Sequence, residues 1–274
     1  MKLIFILILF SNISFSQTNN ATQRTMNFPQ QNKTPAKLPA RENTWVFILA
    51  GQSNMAGRGQ VEPADTIPDD RILTINKNGD IIVAKEPLHW YEPTRTGLDC
   101  GVSFARTLLK SIPKNITILL LPVAVGGSSI SQWLDDSTHR DVKLYTNFTE
   151  KVKLAKQYGS LKAILWHQGE NEAAADKIGL YPERLAHLFW QFRETAGNRE
   201  LPVLMGELGS FSENNNLWQW INDFMHAYAD KDPFTCVINI SDLKDGGDKV
   251  HFDSAGQRTM GERFAEAWLS HFNK

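Results

Sequence analysis

The chain has 274 residues, with 29 Lys and Arg against 30 Asp and Glu and a net charge of −1. Its charged side chains are spread along the sequence, and no basic stripe stands out. A nucleic-acid-binding protein needs such a stripe to neutralise phosphates, so we expect no nucleic-acid partner.

The N-terminal segment has the pattern of a secretory signal peptide. Lys2 precedes an apolar run over 3–10, and small polar residues follow as far as Gln17. We therefore predict a signal peptide over residues 1–17 and a secreted or periplasmic protein. The apolar run is too short to span a bilayer, and no later segment is long and apolar enough, so we expect no membrane association after cleavage.

Composition then divides the rest of the chain in two. Residues 18–43 are rich in Asn, Gln, Thr, Pro and Lys and offer little to a hydrophobic core, so they are predicted to form a disordered leader. Residues 44–274 are long enough for one sizeable α/β domain.

The chain has two cysteines, Cys100 and Cys236. In an exported protein they could form a disulfide, but sequence separation carries no information about their distance in space. Two buried, unpaired thiols that act as small apolar side chains are an equally good interpretation.

Apolar runs of strand length recur along the domain. They are continuous rather than alternating, which is typical of parallel strands covered on both faces. The two short runs on either side of Asn78-Gly79 are predicted to form a short strand or a hairpin. The runs cover residues 45–50, 71–76, 81–83, 115–125, 161–166, 202–206 and 236–240.

Amphipathic helices are predicted between these runs. After Pro182, which suits a first helical turn, apolar residues follow the i, i+3, i+4, i+7 rule, and the same spacing recurs twice nearer the C-terminus. Ser254 and Gln257 are predicted to form the capping box of the last helix. Alternating strands and helices predict an α/β fold with a doubly wound parallel sheet, whose reactive edge is formed by the carboxyl ends of the strands. The apolar positions are Leu185, Leu188, Phe189 and Phe192, then Leu217, Ile221, Phe224, Met225 and Tyr228, then Met260, Phe264, Ala267 and Trp268.

Polar or glycine-rich clusters follow four of the predicted strands. If the sheet is parallel, all four clusters meet at one edge. They are residues 51–57, 126–129, 167–172 and 248–251.

These clusters contain the parts of a serine hydrolase. Ser53 can act as a nucleophile if a base is adjacent, and histidine is the usual base because its pKa is close to working pH. Asp248 lies three residues before His251, so a single loop can carry both the base and the carboxylate that orients it.

An oxyanion also needs preorganised donors. The candidates are the Ser53 N–H, an N–H of the Gly126-Gly127 turn and the side-chain amide of Gln168. Each feature alone has an ordinary explanation, since a serine after a strand usually caps a helix and a Gly-Gly pair usually forms a turn. We interpret His167 as a core histidine. The joint occurrence of the features at one sheet edge favours catalysis.

Four motifs together resemble the SGNH (GDSL-like) hydrolase superfamily, and within it the carbohydrate esterase family 6 and sialate O-acetylesterase-like branch. The resemblance extends over residues 45–272. Its motifs are Gly-Gln-Ser-Asn-Met at 51–55, Gly-Gly-Ser at 126–128, His-Gln-Gly-Glu at 167–170 and Asp-x-x-His at 248–251.

The resemblance implies a three-layer α/β/α sandwich, flavodoxin-like, with a central parallel sheet of about five strands. It implies removal of acetyl groups from sugars without a metal or another cofactor. By position, Ser53 is the nucleophile, His251 the base and Asp248 its partner. Gln168 stands where the wider superfamily has an oxyanion-binding asparagine, and Gly127 is favoured over Gly126 as the second donor.

Four residues are expected to support the site: Gln52, Asn54, Gly126 and Glu170. Glu170 is expected to order the loop beneath the site. The segment 87–101 matches the family only loosely. Its aromatic residues either line the pocket or simply pack.

The sequence therefore predicts a serine carbohydrate esterase that removes O-acetyl groups from acetylated sugars, such as acetylxylan or sialate, through an acetyl-enzyme, with a role in polysaccharide degradation. Two alternatives stay open: a non-catalytic sugar-binding module on the same fold, and a lipase or thioesterase of the superfamily. The acetylated glycan and the oligomeric state are not specified by the sequence.

Overall fold

The computed structural model describes residues 23–273, so the predicted signal peptide (1–17) and residues 18–22 of the leader lie outside the described residues. Nine strands are present in this part of the chain. They are β1 (Thr44–Gly51), β2 (Ile72–Ile75), β3 (Ile81–Val83), β4 (Thr117–Pro122), β5 (Thr138–His139), β6 (Val142–Lys143), β7 (Ser160–His167), β8 (Val203–Gly206) and β9 (Thr235–Ile238).

Seven of these strands form the central sheet, in the order β3-β2-β4-β1-β7-β8-β9. All neighbours pair in parallel except β2 and β3, which form an antiparallel hairpin. The α/β fold is confirmed, but the sheet has seven strands rather than about five. The β2–β3 hairpin adds strands at one edge of the sheet. Its turn is closed by the Asn76 side chain, which accepts hydrogen bonds from the N–H groups of Asn78 and Asp80.

Helices cover both faces of the sheet and give three layers. Residues of α3 to α6 pack into the core on one face, with Trp133, Phe148 and Phe192 at its centre. Residues of α1, α2 and α7 pack on the other face. Within residues 23–273, none of the helices is long and apolar enough to cross a membrane. The helices are α1 (Ser53–Ala56), α2 (Gly101–Leu109), α3 (Ile130–Leu134), α4 (Leu144–Tyr158), α5 (Tyr181–Ala196), α6 (Asn215–Ala229) and α7 (Ser254–His271).

Helix α7 begins differently from the expectation. Its N-cap is Asp253, whose carboxylate accepts a hydrogen bond of 2.6 Å from the Gly256 N–H. The Ser254 hydroxyl bonds the backbone of Gln60 instead. The Gln257 amide is buried and donates to the Asn54 carbonyl at 3.0 Å, so the predicted capping box is wrong. These side chains therefore connect α7 to the segments at Asn54 and Gln60 instead of capping it.

The described part of the leader, residues 23–43, lies along the domain rather than apart from it. The Asn27 amide donates to the Val61 carbonyl at 2.9 Å, and the Lys33 carbonyl accepts from the Val83 N–H at 2.8 Å. The structure therefore differs from the expected disordered leader over this range. A segment without a core of its own is held here by hydrogen bonds to loop and edge-strand backbone, which composition does not reveal.

Both cysteines are free thiols. Cys100 is fully buried with its Sγ 3.7 Å from the Met55 sulfur, and burial raises the pKa of its thiol. Cys236 is partly buried on β9, and burial raises its pKa to about 12. The sequence allowed either a disulfide or two unpaired thiols, and the structure contains two unpaired thiols.

Candidate active site

The candidate site lies at the carboxyl ends of the central strands. Strand β1 is flanked by β4 on one side and β7 on the other, so the connections diverge at its end and leave a crevice there. Ser53 is the first residue of α1, which begins two residues after β1 ends, and only 6% of its surface is exposed. The sheet thus places this serine at the crevice.

The structure brings Ser53, His251 and Asp248 together in one chain of hydrogen bonds. The Ser53 Oγ lies 2.9 Å from His251 Nε2, and His251 Nδ1 lies 2.6 Å from Asp248 Oδ2. Since 198 residues separate the serine from the histidine, this contact depends on the whole fold. The geometry is that of a nucleophile, a base and an orienting carboxylate.

The Asp248 side chain organises its own loop. Its Oδ1 accepts hydrogen bonds from the N–H groups of Val250 and His251 at 2.9 and 2.8 Å, which leaves Oδ2 for the imidazole. Partial burial raises the pKa of this carboxyl, but the hydrogen bonds from the backbone and imidazole of His251 outweigh that effect and hold the pKa below its ordinary value. Asp248 is therefore an ionised acceptor for the Nδ1–H of His251 at neutral pH.

Asn54 holds the loop that carries His251. Its amide nitrogen donates to the Val250 carbonyl at 3.1 Å, and its Oδ1 accepts from the Phe252 N–H at 3.1 Å. These two contacts lie on either side of His251, and Asn54 itself is 1% exposed. Asn54 thus fixes the base relative to the helix that begins at Ser53.

Glu170 and His167 form a second layer beneath Asn54. The Glu170 carboxylate accepts a hydrogen bond of 2.7 Å from the Asn54 amide, which agrees with its expected role of ordering the loop. His167 is fully buried, and its Nε2 lies 2.9 Å from the Glu207 carbonyl. Burial lowers the pKa of His167, so this imidazole is a neutral core group, as interpreted from the sequence.

The structure distinguishes Gly126 from Gly127, the two glycines that the sequence offered as donors to an oxyanion. The Gly126 N–H donates to the Glu92 carboxylate at 2.6 Å, so it is not available to an oxyanion. A Cβ at Gly126 would lie 2.0 Å from Arg58 Nη2 and 2.4 Å from Glu92 Oε2, so a larger residue there would displace the Arg58–Glu92 pair. Gly127 has a φ of 77°, and the described residues provide no acceptor for its N–H. Gly127 is the available donor.

Gln168 does not reach the crevice. It is fully buried, and its amide nitrogen donates to the Glu172 carboxylate, with the Gln52 and Ser128 oxygens each 3.4 Å away. The structure thus differs from the expected oxyanion role, because a buried carboxylate four residues along attracts this amide. Gln52 lies between Gln168 and the crevice and supports the layer under Ser53.

Asn171 supplies a side-chain amide at the crevice instead. Its Nδ2 donates to the Gly127 carbonyl at 3.0 Å, and the residue lines a cavity of about 250 Å³ together with Ser53, Gly127 and His251. Sequence reasoning missed it, although it lies one residue beyond the His-Gln-Gly-Glu motif. The cavity is therefore lined by a serine hydroxyl within 2.9 Å of an imidazole and by amide groups, a set that suits acyl transfer.

A family model described as carbohydrate esterase, sialic acid-specific acetylesterase, matches residues 43–270. The chain belongs to this family. It is therefore a hydrolase of carboxylic esters, and the resemblance drawn from its motifs is confirmed.

Individual relatives of the esterase agree with this assignment. It is 26% identical over 266 residues to a probable carbohydrate esterase of Arabidopsis thaliana, with 89% of this chain and 97% of that protein covered. It is 21% identical to a probable 9-O-acetyl-N-acetylneuraminic acid deacetylase of Escherichia coli, with 67% and 70% covered. A solved structure of an Arabidopsis thaliana protein matches with a TM-score of 0.74 at 25% identity, with 84% of this chain and 99% of that one covered.

The esterase also has a charged cluster that the sequence did not reveal. The buried Glu92 carboxylate forms ion pairs with Arg58 at 2.7 Å and with Arg140 at 3.0 Å, and it accepts a hydrogen bond from the Gly126 N–H. Burial raises the pKa of Glu92, but the two guanidinium groups and the amide together hold the pKa below its ordinary value. The cluster fixes the turn that presents Gly127. No local pattern could have shown it, because Glu92 lies 34 residues from both Arg58 and Gly126.

Among residues 23–273, no group of three or more His, Cys, Asp or Glu side chains is arranged to hold a metal ion.

Proposed function

We propose that the esterase removes O-acetyl groups from an acetylated carbohydrate by a serine mechanism with an acetyl-enzyme intermediate. The observation that carries the proposal is the continuous contact from Asp248 through His251 to the Ser53 Oγ, at 2.6 and 2.9 Å, on the wall of a cavity. The family assignment supports an ester of a carbohydrate as the substrate, and this contact supports the serine mechanism.

In the first half-reaction, the Ser53 Oγ attacks the acetyl carbonyl carbon while His251 Nε2 takes the hydroxyl proton. Asp248 stabilises the imidazolium that forms. The N–H groups of Ser53 and Gly127 and the Asn171 amide donate to the oxyanion. When the C–O bond to the sugar breaks, the imidazolium returns its proton to the leaving alkoxide and the acetyl group stays on Ser53.

In the second half-reaction, water replaces the sugar. The water oxygen attacks the acetyl carbon while His251 takes a proton from the water. When the bond between the acetyl carbon and the Ser53 Oγ breaks, His251 gives that proton to the Ser53 oxygen. The products are acetate and the regenerated enzyme. The same groups serve both half-reactions, as microscopic reversibility requires.

Among acetylated carbohydrates, an O-acetylated sialic acid is the favoured substrate, with acetylxylan as the second candidate. The description of the family and the name of the E. coli relative support the first. Acetate release from a panel of acetylated glycans, including acetylxylan, decides between them. A role in polysaccharide degradation follows only if acetylxylan is the substrate.

The cavity argues against the two alternatives from the sequence. A non-catalytic sugar-binding module has no need for a serine within hydrogen-bond distance of a paired histidine. A lipase needs apolar walls for a long acyl chain, whereas this cavity is lined by polar and charged residues, among them Arg58, Arg140 and Glu170. Comparison of acetyl with octanoyl esters tests the second point.

Ser53→Ala tests the mechanism. We expect kcat for acetate release to fall by about 10⁴-fold or more, because the nucleophile is lost while the fold is kept. Ser270→Ala is the matched control, since Ser270 is an exposed serine in the last turn of α7. A serine-reactive phosphonate should label Ser53 in the wild type. Turnover that survives in Ser53→Ala would overturn the mechanism.

We also propose that the esterase acts outside the cytoplasm after cleavage of residues 1–17. The basic start and short apolar run of the N-terminal segment support this proposal. The mass of the protein recovered from the secreted or periplasmic fraction tests it, and an uncleaved cytoplasmic protein would refute it.

A further inference from the structure

Strands β5 and β6 form a small two-stranded sheet apart from the central one. This hairpin contacts the turn that contains Gly126 and Gly127, since His139 Nε2 lies 3.0 Å from the Gly126 carbonyl oxygen. The next residue, Arg140, pairs with Glu92 at 3.0 Å, and Glu92 accepts the Gly126 N–H. Two consecutive residues of the hairpin therefore hold one glycine of the active site, the first directly and the second through Glu92.

The contact with the Gly126 carbonyl also determines the direction of a neighbouring N–H. The Gly126 carbonyl and the Gly127 N–H belong to the one peptide unit that joins these residues. That peptide bond is trans, so the two groups point in opposite directions. A carbonyl directed at His139 therefore directs the Gly127 N–H, the proposed donor to the oxyanion, away from His139.

The turn alone does not fix this orientation. The Ser128 N–H donates to the Val125 carbonyl at 3.3 Å, and Gly127 has a φ of 77° while Gly126 has no positive φ, as in a type II turn. Type I and type II turns differ by a flip of the central peptide, and glycine at both central positions permits either form. Glu92 holds the preceding peptide, through the Gly126 N–H. The central peptide is held by His139.

The partners of His139 specify which ring nitrogen donates. A carbonyl oxygen can only accept, so Nε2 carries the proton at the Gly126 contact. The Gln132 amide nitrogen lies 3.4 Å from Nδ1 and can only donate, so Nδ1 is the acceptor. Gln132 is itself fixed, because its Oε1 accepts the Ser129 N–H at 2.9 Å in the capping box of α3. His139 thus has a defined tautomer, with its Nε2–H directed at the Gly126 carbonyl.

A hydrogen bond to a carbonyl also makes the N–H of the same peptide a stronger donor, since hydrogen bonds in a chain polarise one another. The chain here runs from the Gln132 amide through the His139 imidazole to the Gly126 carbonyl, and it ends at the Gly127 N–H. Gly127 is exposed and lines the cavity that contains Ser53. The chain of hydrogen bonds therefore ends where the oxyanion forms in the proposed mechanism.

The backbone of the hairpin is strained next to His139. The two-residue loop between β5 and β6 consists of Arg140 and Asp141, whose φ values are 49° and 62°. Positive φ at both positions is the conformation of a type I′ turn, which usually contains Asn and Gly. The fold thus retains a strained turn where its side chains reach the active site, and such strain is commonly found at functional sites.

We propose that His139 is a positioning residue for the reaction. Its Nε2–H holds the peptide between Gly126 and Gly127 so that the Gly127 N–H faces the oxyanion, and it polarises that N–H. The inference rests on the proposed function, because it concerns the oxyanion of acetyl transfer. It also gives the β5–β6 hairpin a role in catalysis, in which His139 acts through Gly127 rather than on the substrate.

Two amide substitutions at one position test this role. In His139→Gln the amide nitrogen takes nearly the place of Nε2 and can still donate to the Gly126 carbonyl. In His139→Asn it lies near the place of Nδ1 and falls short of that carbonyl. With 4-nitrophenyl acetate as substrate, we expect His139→Asn to lower kcat by about 10–100-fold, less than the roughly 10²–10³-fold cost of losing a whole oxyanion donor. KM should stay within about threefold, and His139→Gln should keep kcat within about threefold of the wild type.

Trifluoroacetone gives a readout that a merely structural role would not change. The Ser53 Oγ adds to its ketone carbon, His251 takes the hydroxyl proton, and the ketone oxygen becomes the oxyanion of a hemiketal. In His139→Asn the inhibition constant should therefore rise by about the same factor as kcat falls, because the hemiketal resembles the transition state. In His139→Gln it should stay near the wild-type value.

His271→Asn is the matched control. His271 Nδ1 also lies 2.9 Å from a backbone carbonyl, that of Ala267, but at the exposed end of α7. This variant should leave both kcat and the inhibition constant unchanged. Thermal unfolding shows whether each variant is folded. Equal kcat values in folded His139→Asn and His139→Gln, or an inhibition constant unchanged in His139→Asn, would overturn the inference.

The wild type provides a test that does not depend on whether the variants fold. In ¹⁵N NMR of protein labelled at histidine, the resonances of His139 should show the proton on Nε2, both in the free enzyme and in the hemiketal with trifluoroacetone. A proton on Nδ1 with Nε2 unprotonated would leave the Gly126 carbonyl without its donor, and it would overturn the inference.

Failure of the proposed function looks different. In that case 4-nitrophenyl acetate would be turned over equally by the wild type and Ser53→Ala, and trifluoroacetone would not inhibit. If Ser53→Ala loses turnover while folded His139→Asn keeps it, only the role of His139 is refuted.

Discussion

The esterase contains two Asp–His pairs with nearly the same local geometry and different surroundings. In one, His251 Nδ1 lies 2.6 Å from Asp248, and the two side chains are 24% and 54% exposed. In the other, His89 Nδ1 lies 2.8 Å from Asp99, and the side chains are 2% and 0% exposed. Both pairs place the carboxylate on the same ring nitrogen.

The difference lies at the other ring nitrogen. His251 Nε2 faces the Ser53 hydroxyl, whereas His89 Nε2 is buried and has no hydrogen-bond partner among the described residues. An Asp–His pair is thus a recurring way to orient an imidazole. It becomes chemically useful only where a nucleophile and an open cavity meet the second nitrogen.

Matched substitutions of Asp248 and Asp99 should reveal the largest difference between the two Asp–His pairs. Asp248→Asn is expected to lower kcat by roughly 10²–10⁴-fold, because the carboxylate that stabilises the imidazolium is lost, with little change in stability at this exposed site. Asp99→Asn is expected to leave kcat within about threefold but to lower the free energy of unfolding by about 1–3 kcal/mol, because Asp99 also accepts the Gly101 N–H at 2.7 Å.

Acetate-release kinetics and denaturant titrations on the same preparations give both quantities. The distinction between the pairs fails if Asp99→Asn loses activity as Asp248→Asn does while it remains folded.

Asn54→Ala tests whether Asn54 holds the exposed His251–Asp248 pair in place. We expect kcat to fall by about 10–100-fold with a smaller change in KM, since the loop on either side of His251 loses its contacts and the base moves. Asn222→Ala is the control. Asn222 is also buried and bonds the Leu208 backbone on both sides, at 2.7 and 3.0 Å, but away from the site.

Both asparagine variants should lose about 1–3 kcal/mol of stability from unsatisfied backbone groups. Only Asn54→Ala should lose kcat. Equal kcat values in the two variants would show that Asn54 is structural and does not position the base.

Glu172→Gln has the smallest expected effect. Glu172 lies in the buried layer beneath the exposed His251–Asp248 pair, where it bonds Gln168. Burial raises the pKa of the Glu172 carboxyl from 4.5 to about 6, despite hydrogen bonds from Gln168 and the Ile130 N–H. The folded state therefore holds a proton that the unfolded chain releases, and stability falls as pH rises from about 4.5 to 6.

The total loss is roughly 2 kcal/mol, at about 1.4 kcal/mol per pKa unit. Glu172→Gln should lack this decrease, so its stability relative to the wild type should rise across that pH range in urea titrations. Glu194→Gln, at an exposed position, is the control. If Glu172→Gln and the wild type show parallel pH curves, the raised pKa is wrong.

Features that depend on the order of strands and helices, or on contacts between residues close in sequence, were predictable from the sequence. Ser53 follows a buried strand, so its place at the sheet edge followed from the parallel fold. Asp248 and His251 are three residues apart, so their pairing needed only one turn. The apolar runs also indicated the β2–β3 hairpin, which the count of about five strands omitted.

Features decided by side chains from distant segments were not predictable. Gly126 and Gly127 look equivalent in sequence, and it is Glu92, 34 residues away, that occupies the Gly126 N–H. Gln168 and Asn171 both carry amides beside the site. Which of them faces the cavity depends on how the loop turns and on the buried carboxylate of Glu172, and neither is encoded in spacing.

The hydrogen bond from the Val83 N–H to the Lys33 carbonyl has a consequence for solubility. Strand β3 is the last strand on its side of the sheet, where an unpaired backbone would offer a template for another copy of the chain. The segment around Lys33 occupies a donor of this edge and brings a lysine beside it. Loss of residues 23–33 would therefore expose the edge of β3 and favour aggregation between copies of the protein.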